Sequence, residues 1–292
     1  MISLEQFINE SARTTNSNGE RRAELEKWLK NKKYNEYVKI LDKMLDDPKA
    51  KTLLVDGFGG DLGNTKFTYS VKLIPASNLR PTQSEIDVDK SLKIVLTNTK
   101  NIINDFSDEI VITNMPLVTF RGNYIIDGHH RWSEVAMINP EGKMVCFDYD
   151  ADISPIQMLK AVQGSIAAVM AEKNEKDMPS GSRKGPNLYN KKWNKEAIKK
   201  YIKQHITTDV ENLCYKYFDN CNTFDDILEI ISSNAMELKY NNYPEDNSPN
   251  RVDMPQTDKG RRGKDTTSAY PDSKGSALHK MKTGKFVKSA IK

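Results

Sequence analysis

Residues 124–132 read Tyr124-Ile125-Ile126-Asp127-Gly128-His129-His130-Arg131-Trp132. Three apolar, strand-favouring residues run into an Asp-Gly pair and then into helix-like sequence, so the spacing predicts strand, sharp turn and helix in immediate succession. Glycine takes the positive φ of such a reversal at no steric cost. The first amides of the following helix have no intrahelical acceptor, and the helix dipole adds partial positive charge at the same end. Both favour an anion there, phosphate above all. Two imidazoles and a guanidinium project from that first turn, and a guanidinium matches phosphate oxygens two at a time. Asp127, Gly128, His129, His130 and Arg131 are therefore the candidate phosphate-binding residues. On the residues alone, a plain surface turn and half of a metal site stay open for the His-His pair. The other histidines are His205 and His279, and Cys146, Cys214 and Cys221 form no close pair, so no metal ligand set is expected in the protein.

Working outward, Val71–Pro81 reads as a strand closing in a proline turn, Ser91–Ile103 as a helix, Pro116–Phe120 as the next strand and Val145–Asp148 as the last. With Asn123–Ile126 and the Asp127–Trp132 run, this order resembles the ParB/sulfiredoxin superfamily, and most closely its free-serine-kinase branch, which carries the same Asp-Gly-His-His-Arg run. The resemblance spans residues 67–150. It implies an α/β (α+β) fold, a small mixed sheet with helices, whose turn holds nucleotide phosphates: ATP in the kinases and sulfiredoxins, CTP in the partition proteins. The cofactor expected from it is ATP, or CTP, with Mg2+.

The departures from the family narrow the chemistry. Sulfiredoxins place a reactive cysteine where this chain has His129, so sulfinic-acid reduction loses its nucleophile. Partition proteins have Gly-Glu-Arg-Arg where Gly128-His129-His130-Arg131 stands, and no helix-turn-helix module follows it. Free-serine kinases carry a base glutamate two residues beyond the turn proline, but Pro81-Thr82-Gln83 puts an amide there, which cannot accept a hydroxyl proton. Glu85 stands two residues further on, and a strand would point it to the same side as Gln83. The catalytic candidates are accordingly Glu85, Gln83 and His130, a solvated loop being the other reading of residues 83–85. Lys90 and Arg121 are candidates for further phosphate contacts.

Composition frames the flanks. Apolar residues make up 37% of the 292, low for one fully packed body, so polar extensions are expected. Residues 251–292 hold eleven Lys and Arg against four Asp and Glu, while the whole chain carries only +4, so the basicity belongs to this tail. Such a segment reads as disordered or ordered by a partner, nucleic acid or an acidic protein surface. Ala23–Leu45 has a helical apolar stripe, and Asp56–Asp61 is glycine-rich but lacks the Gly-Lys-Ser/Thr ending of a phosphate loop. Beyond a polar connection at residues 173–191, Lys195–Ile206, Val210–Phe218 and Thr223–Leu238 read as helices, the last with a Thr223/Asp226 capping box. The expected organisation is a helical arm at 1–50, a nucleotide-binding domain at 51–172, a helical subdomain at 173–240 and a basic tail at 241–292.

No apolar run approaches the roughly 20 residues of a membrane span. With three unpatterned cysteines, this predicts a cytoplasmic protein without a membrane partner. Its Lys, Asn and Ile usage resembles that of AT-rich bacterial and phage genomes, which places it in a bacterial or phage-infected cell. The leading functional expectation is a nucleotide-binding protein, ATP preferred, that hydrolyses ATP or transfers its phosphoryl group to a small hydroxyl acceptor. The competing expectations are a phage-encoded ParB-like DNA-binding or nuclease protein, and a packaged or structural phage component with an inactive nucleotide fold.

Overall fold

The structure is a computed structural model that describes residues 53–55, 65–98, 110–111, 113, 117–159, 185–242, 244 and 248–251. The expected N-terminal helical arm, the glycine-rich segment at 56–61 and the tail beyond residue 251 lie outside them. Among the described residues, seven strands form a mixed sheet: β1 (Leu53–Val55), β2 (Thr65–Pro75), β3 (Arg80–Pro81), β4 (Ile110–Val111), β5 (Leu117–Phe120), β6 (Tyr124–Asp127) and β7 (Lys143–Asp150). Their spatial order is β1-β2-β7-β5-β6-β3, with β4 beside the first residues of β7. The β2–β7 pair is antiparallel from Thr68 opposite Asp150 to Pro75 opposite Lys143. β5 runs parallel to β7, β6 antiparallel to β5, and β3 parallel to β6.

Local chemistry explains the boundaries. All four residues of β5 are buried, as a strand covered on both faces requires. Pro75 ends β2 and leads into a 3-10 turn at Ala76–Asn78. The helix expected over 91–103 is displaced: a π-helical turn, Asp89–Lys93, passes directly into α1 (Ile94–Thr97). It starts early because the Asp87 carboxylate accepts from Lys90 N–H at 3.1 Å, and it stops because Asn98 is extended (φ −128°). Further helices are α2 (His129–Ile138), α3 (Lys195–His205), α4 (Thr208–Tyr217) and α5 (Phe224–Asn241). Asn194, Thr207 and Thr223 cap the last three, and the Thr223/Asp226 capping box is present.

One apolar core runs from the sheet through α2 into the C-terminal helices. Ile74, Leu92, Leu117, Trp132 and Val135 share it with Ile198, Ile202, Ile227, Ile231 and Ala235. Polar contacts lock the layers together. Trp132 Nε1 donates to Ala76 O (2.8 Å), Asn242 Nδ2 donates to Ser77 O and Leu79 O (2.7 Å each), and Asn234 Nδ2 donates to Met137 O (3.1 Å) at the end of α2. The buried Lys239 ammonium donates to the carbonyls of Asn190 (2.9 Å) and Trp193 (2.7 Å), fastening the connection before α3. Among the described residues, no helix is long and apolar enough to cross a membrane.

Candidate functional site

The strand, glycine turn and helix expected around residues 124–132 are present, as β6, Gly128 and α2. Gly128 is the N-cap residue of α2 at φ 97°, and no side chain caps the helix. A side chain in place of the glycine would be strained at this φ and would displace its neighbours, because a Cβ there would come within 2.5 Å of Leu117 Cδ2 and 2.8 Å of Arg131 Nη2. The Arg131 guanidinium thus folds back over the turn, held by Asp127 Oδ2 at 3.3 Å one helical turn earlier. The result is an uncapped helix N-terminus with a guanidinium fixed beside it.

The two histidines point to different partners. His129 is buried, and its Nε2 accepts from Thr82 N–H at 3.1 Å. A ring nitrogen that accepts an amide proton carries none of its own, so neutral His129 holds its proton on Nδ1. Thr82 Oγ1 donates in turn to Ile125 O (2.5 Å), tying the end of β3 to β6. His130 meets Arg251, whose Nη1 lies 3.0 Å from Nδ1 and against Nε2 as well. Because guanidinium only donates, this contact requires a neutral imidazole. Burial lowers the pKa of both rings, to about 3 for His130, and Arg251, Lys90 and Arg131 add to the effect on it. On the same face of α2 as His130, the Glu134 carboxyl is pushed up to about 8 by burial, against the pull of Arg131.

The catalytic candidates meet this cluster unequally. Residues 83–85 do not continue β3, which ends at Pro81, so Gln83 and Glu85 are not two same-face positions of a strand. The Gln83 side chain is buried and its Nε2 donates to Glu85 O (2.6 Å), closing a tight local bend. Glu85 Oε2 accepts from Arg251 N–H at 3.3 Å, which sets its carboxylate beside the residue that touches His130. Lys90 contributes to the positive potential at His130. Arg121 does not belong here: it stands before the opposite end of β6, paired with Asp150 (3.6 Å) and Asp152 (3.4 Å). His205 is a packed residue, stacked on Tyr201 with ring centroids 4.1 Å apart.

Reading the sequence missed Thr82, Glu134 and Arg251. The first two follow Pro81 and Ser133 within the matched region and carry no motif of their own. Arg251 stands 121 residues from His130, and no local pattern announces it.

The turn before β6 holds a second polar cluster. Asp148, fully buried, accepts from Lys72 Nζ (2.6 Å), Thr119 Oγ1 (2.8 Å) and Gly122 N–H (2.7 Å). Among the described residues, no group of three His, Cys, Asp or Glu side chains could hold a metal ion. The donors of the β6–α2 turn, helix amides and the Arg131 guanidinium that packs over Gly128, are of the kind that holds a phosphate. Magnesium would arrive with such phosphates rather than in a protein cage. Comparison of the chain with protein-family models, with curated proteins and with solved structures returns no match.

Proposed function

We propose that the chain is a nucleotide-binding protein of the ParB/sulfiredoxin type, with nucleotide phosphates seated on the β6–α2 turn. In this reading it hydrolyses ATP or transfers the terminal phosphoryl group to a small hydroxyl acceptor. The observation that carries it is the uncapped N-terminus of α2 at Gly128, flanked by an Arg131 that Asp127 holds in place. The preference for ATP over CTP, and the presence of Mg2+, rest on the resemblance of the Asp127–Arg131 run to the free-serine kinases. Glu85 takes the part of the acceptor base, because the Gln83 amide is spent on the bend and is no base in any case. His130, held neutral, is the neighbouring group that would take up or relay a proton once phosphate charge balances the local cations.

Calorimetric titration with ATP and CTP, comparing the natural protein with Arg131→Ala, tests the site. The expected loss is about 1–3 kcal/mol, the range for a charge-assisted contact to a phosphate. Unchanged affinity in the variant would reject the turn as the binding site. ADP release in Glu85→Gln then tests the chemistry, and undiminished turnover would remove Glu85 from it.

A further inference from the structure

The chain returns to the candidate site from its far end. Ser84 N–H donates to Pro249 O (2.9 Å), and Ser84 Oγ reaches both Pro249 O (3.2 Å) and Asn250 Oδ1 (3.0 Å). The next residue along each segment continues the contact, with Arg251 N–H on the Glu85 carboxylate at 3.3 Å. Residues 84–88 are themselves braced from the other direction. Leu188 N–H donates to Ile86 O (2.8 Å), Val88 N–H to Pro186 O (2.9 Å) and Ile86 N–H to Asn187 Oδ1 (3.1 Å). The backbone that carries Arg251 is therefore fastened to a fixed rail before its side chain enters the site.

That side chain ends on His130, in the first turn of α2, where Arg131 and Lys90 already raise the positive potential. Glu85 beside Arg251 and Asp127 on Arg131 offset part of this charge, but three cations against two carboxylates still leave a positive excess, and like charges a few ångströms apart repel even at high effective dielectric. A ligand with several negative charges reverses the sign of that cost, because each cation then becomes a partner. One phosphate on an uncapped helix end is served by amides and a single arginine. Two or three phosphates in a row extend past the turn and need donors further out.

We propose that Arg251 is a phosphate-contacting residue, delivered by the 248–251 segment, and that with Arg131 and the α2 amides it grips a polyphosphate chain such as that of a nucleoside triphosphate. This rests on the function proposed above. Docking of the segment and binding of the ligand are then linked, each favouring the other.

The test uses the full chain. The natural protein, Arg251→Ala and Arg251→Lys are titrated with ATP and with inorganic tripolyphosphate at two salt concentrations, and their unliganded melting curves are compared. Arg251→Ala should weaken both ligands by about 10–100-fold, the loss of one charge-assisted contact. It should also flatten the salt dependence, with little change in melting. Arg251→Lys keeps the charge without the fork and should recover part of the affinity, which a merely structural arginine would not show. If the natural protein binds neither ligand, the functional reading falls and this inference with it. If it binds both and the two variants match it, Arg251 alone is overturned. Tighter binding by Arg251→Ala also overturns it, because the segment would then obstruct the site.

Discussion

Before β6, the Arg121-Gly122-Asn123 turn places its glycine at φ 74°; after β6, the Asp127-Gly128 turn places its own at φ 97°. One short strand separates them, and each gathers charged groups, yet the charge is handled in opposite ways. At the first turn the buried Asp148 carboxylate is met by an ammonium, a hydroxyl and an amide within 2.8 Å. Its acceptors are used up inside the protein, which makes it a structural knot. At the second turn three cations act on a neutral, largely buried imidazole beside an uncapped helix end. Polar groups that satisfy one another hold a fold, whereas at the second turn the three cations outnumber the two carboxylates beside them, Asp127 and Glu85, which leaves a positive excess for something from outside.

The contrast can be broken most directly at the glycines. Gly128→Ala should cost about 3 kcal/mol, because a Cβ at positive φ is strained and this one also collides with Leu117 and Arg131. Gly122→Ala bears only the backbone strain, about 1 kcal/mol, since the nearest atom to its Cβ is Lys72 Nζ at 3.8 Å. Urea denaturation of both variants measures the difference, and equal losses would show that the second turn is not the tighter one.

The carboxylates sharpen it next. Asp148→Ala should destabilise by about 2–3 kcal/mol, because buried Thr119 and the Gly122 amide lose their acceptor. Asp127→Ala should cost less than about 1 kcal/mol in stability, as expected of a partly exposed ion pair. Its effect should appear instead in ATP affinity, through a loosened Arg131. A larger stability loss for Asp127 than for Asp148 would reverse the two roles.

The contrast also shows in pH. His129 and His130 have lowered pKa values in the folded protein, so the unfolded chain binds more protons below its histidine pKa of about 6.5. Their contribution is present above about pH 6.5 and is lost as pH falls from there, for His130 through about 3. Glu134, raised to about 8, works the other way: its contribution is present at low pH and is lost as pH rises from about 4.5 through 8. Two groups against one give a net rise between about pH 4.5 and 6.5, at most about 1.4 kcal/mol per pH unit for each unbalanced proton, then a decline of similar slope towards about pH 8 as Glu134 alone titrates. Thermal melts across this range should show the maximum. His130→Gln should flatten its acid side, and an unchanged acid side would mean that His130 titrates normally.

The sequence was most informative where short-range rules decide the structure. The Asp-Gly reversal, the strand before it, the Thr223/Asp226 capping box and the helical spacing of α3–α5 depend on residues within a turn or two of one another, and all are found. The start of the π-turn was missed because it depends on the Asp87 side chain, which also accepts from Gly185 N–H, 98 residues away (3.0 Å). Arg121, a candidate phosphate contact in the sequence, instead pairs with Asp150 and Asp152, because a cation's partners depend on which loops meet, and that follows from sheet order. Gln83 illustrates a third kind of failure. An amide beside a turn has many polar neighbours, and the one it found is the backbone of Glu85. Of the candidate site, the turn itself was legible, but its outer wall at residues 249–251 was not.

Asn234 lends the end of α2 a further meaning. Its amide reaches the Met137 carbonyl from α5, so the ten-residue α2, about 15 Å long, is gripped at its tail while its head carries the turn. A rod held at one end behaves as a cantilever, and what rests on the other end is read as bending or stiffening at the clamp. The C-terminal helices are therefore more than ballast for the core: they are the anchorage against which any load on the glycine turn is borne.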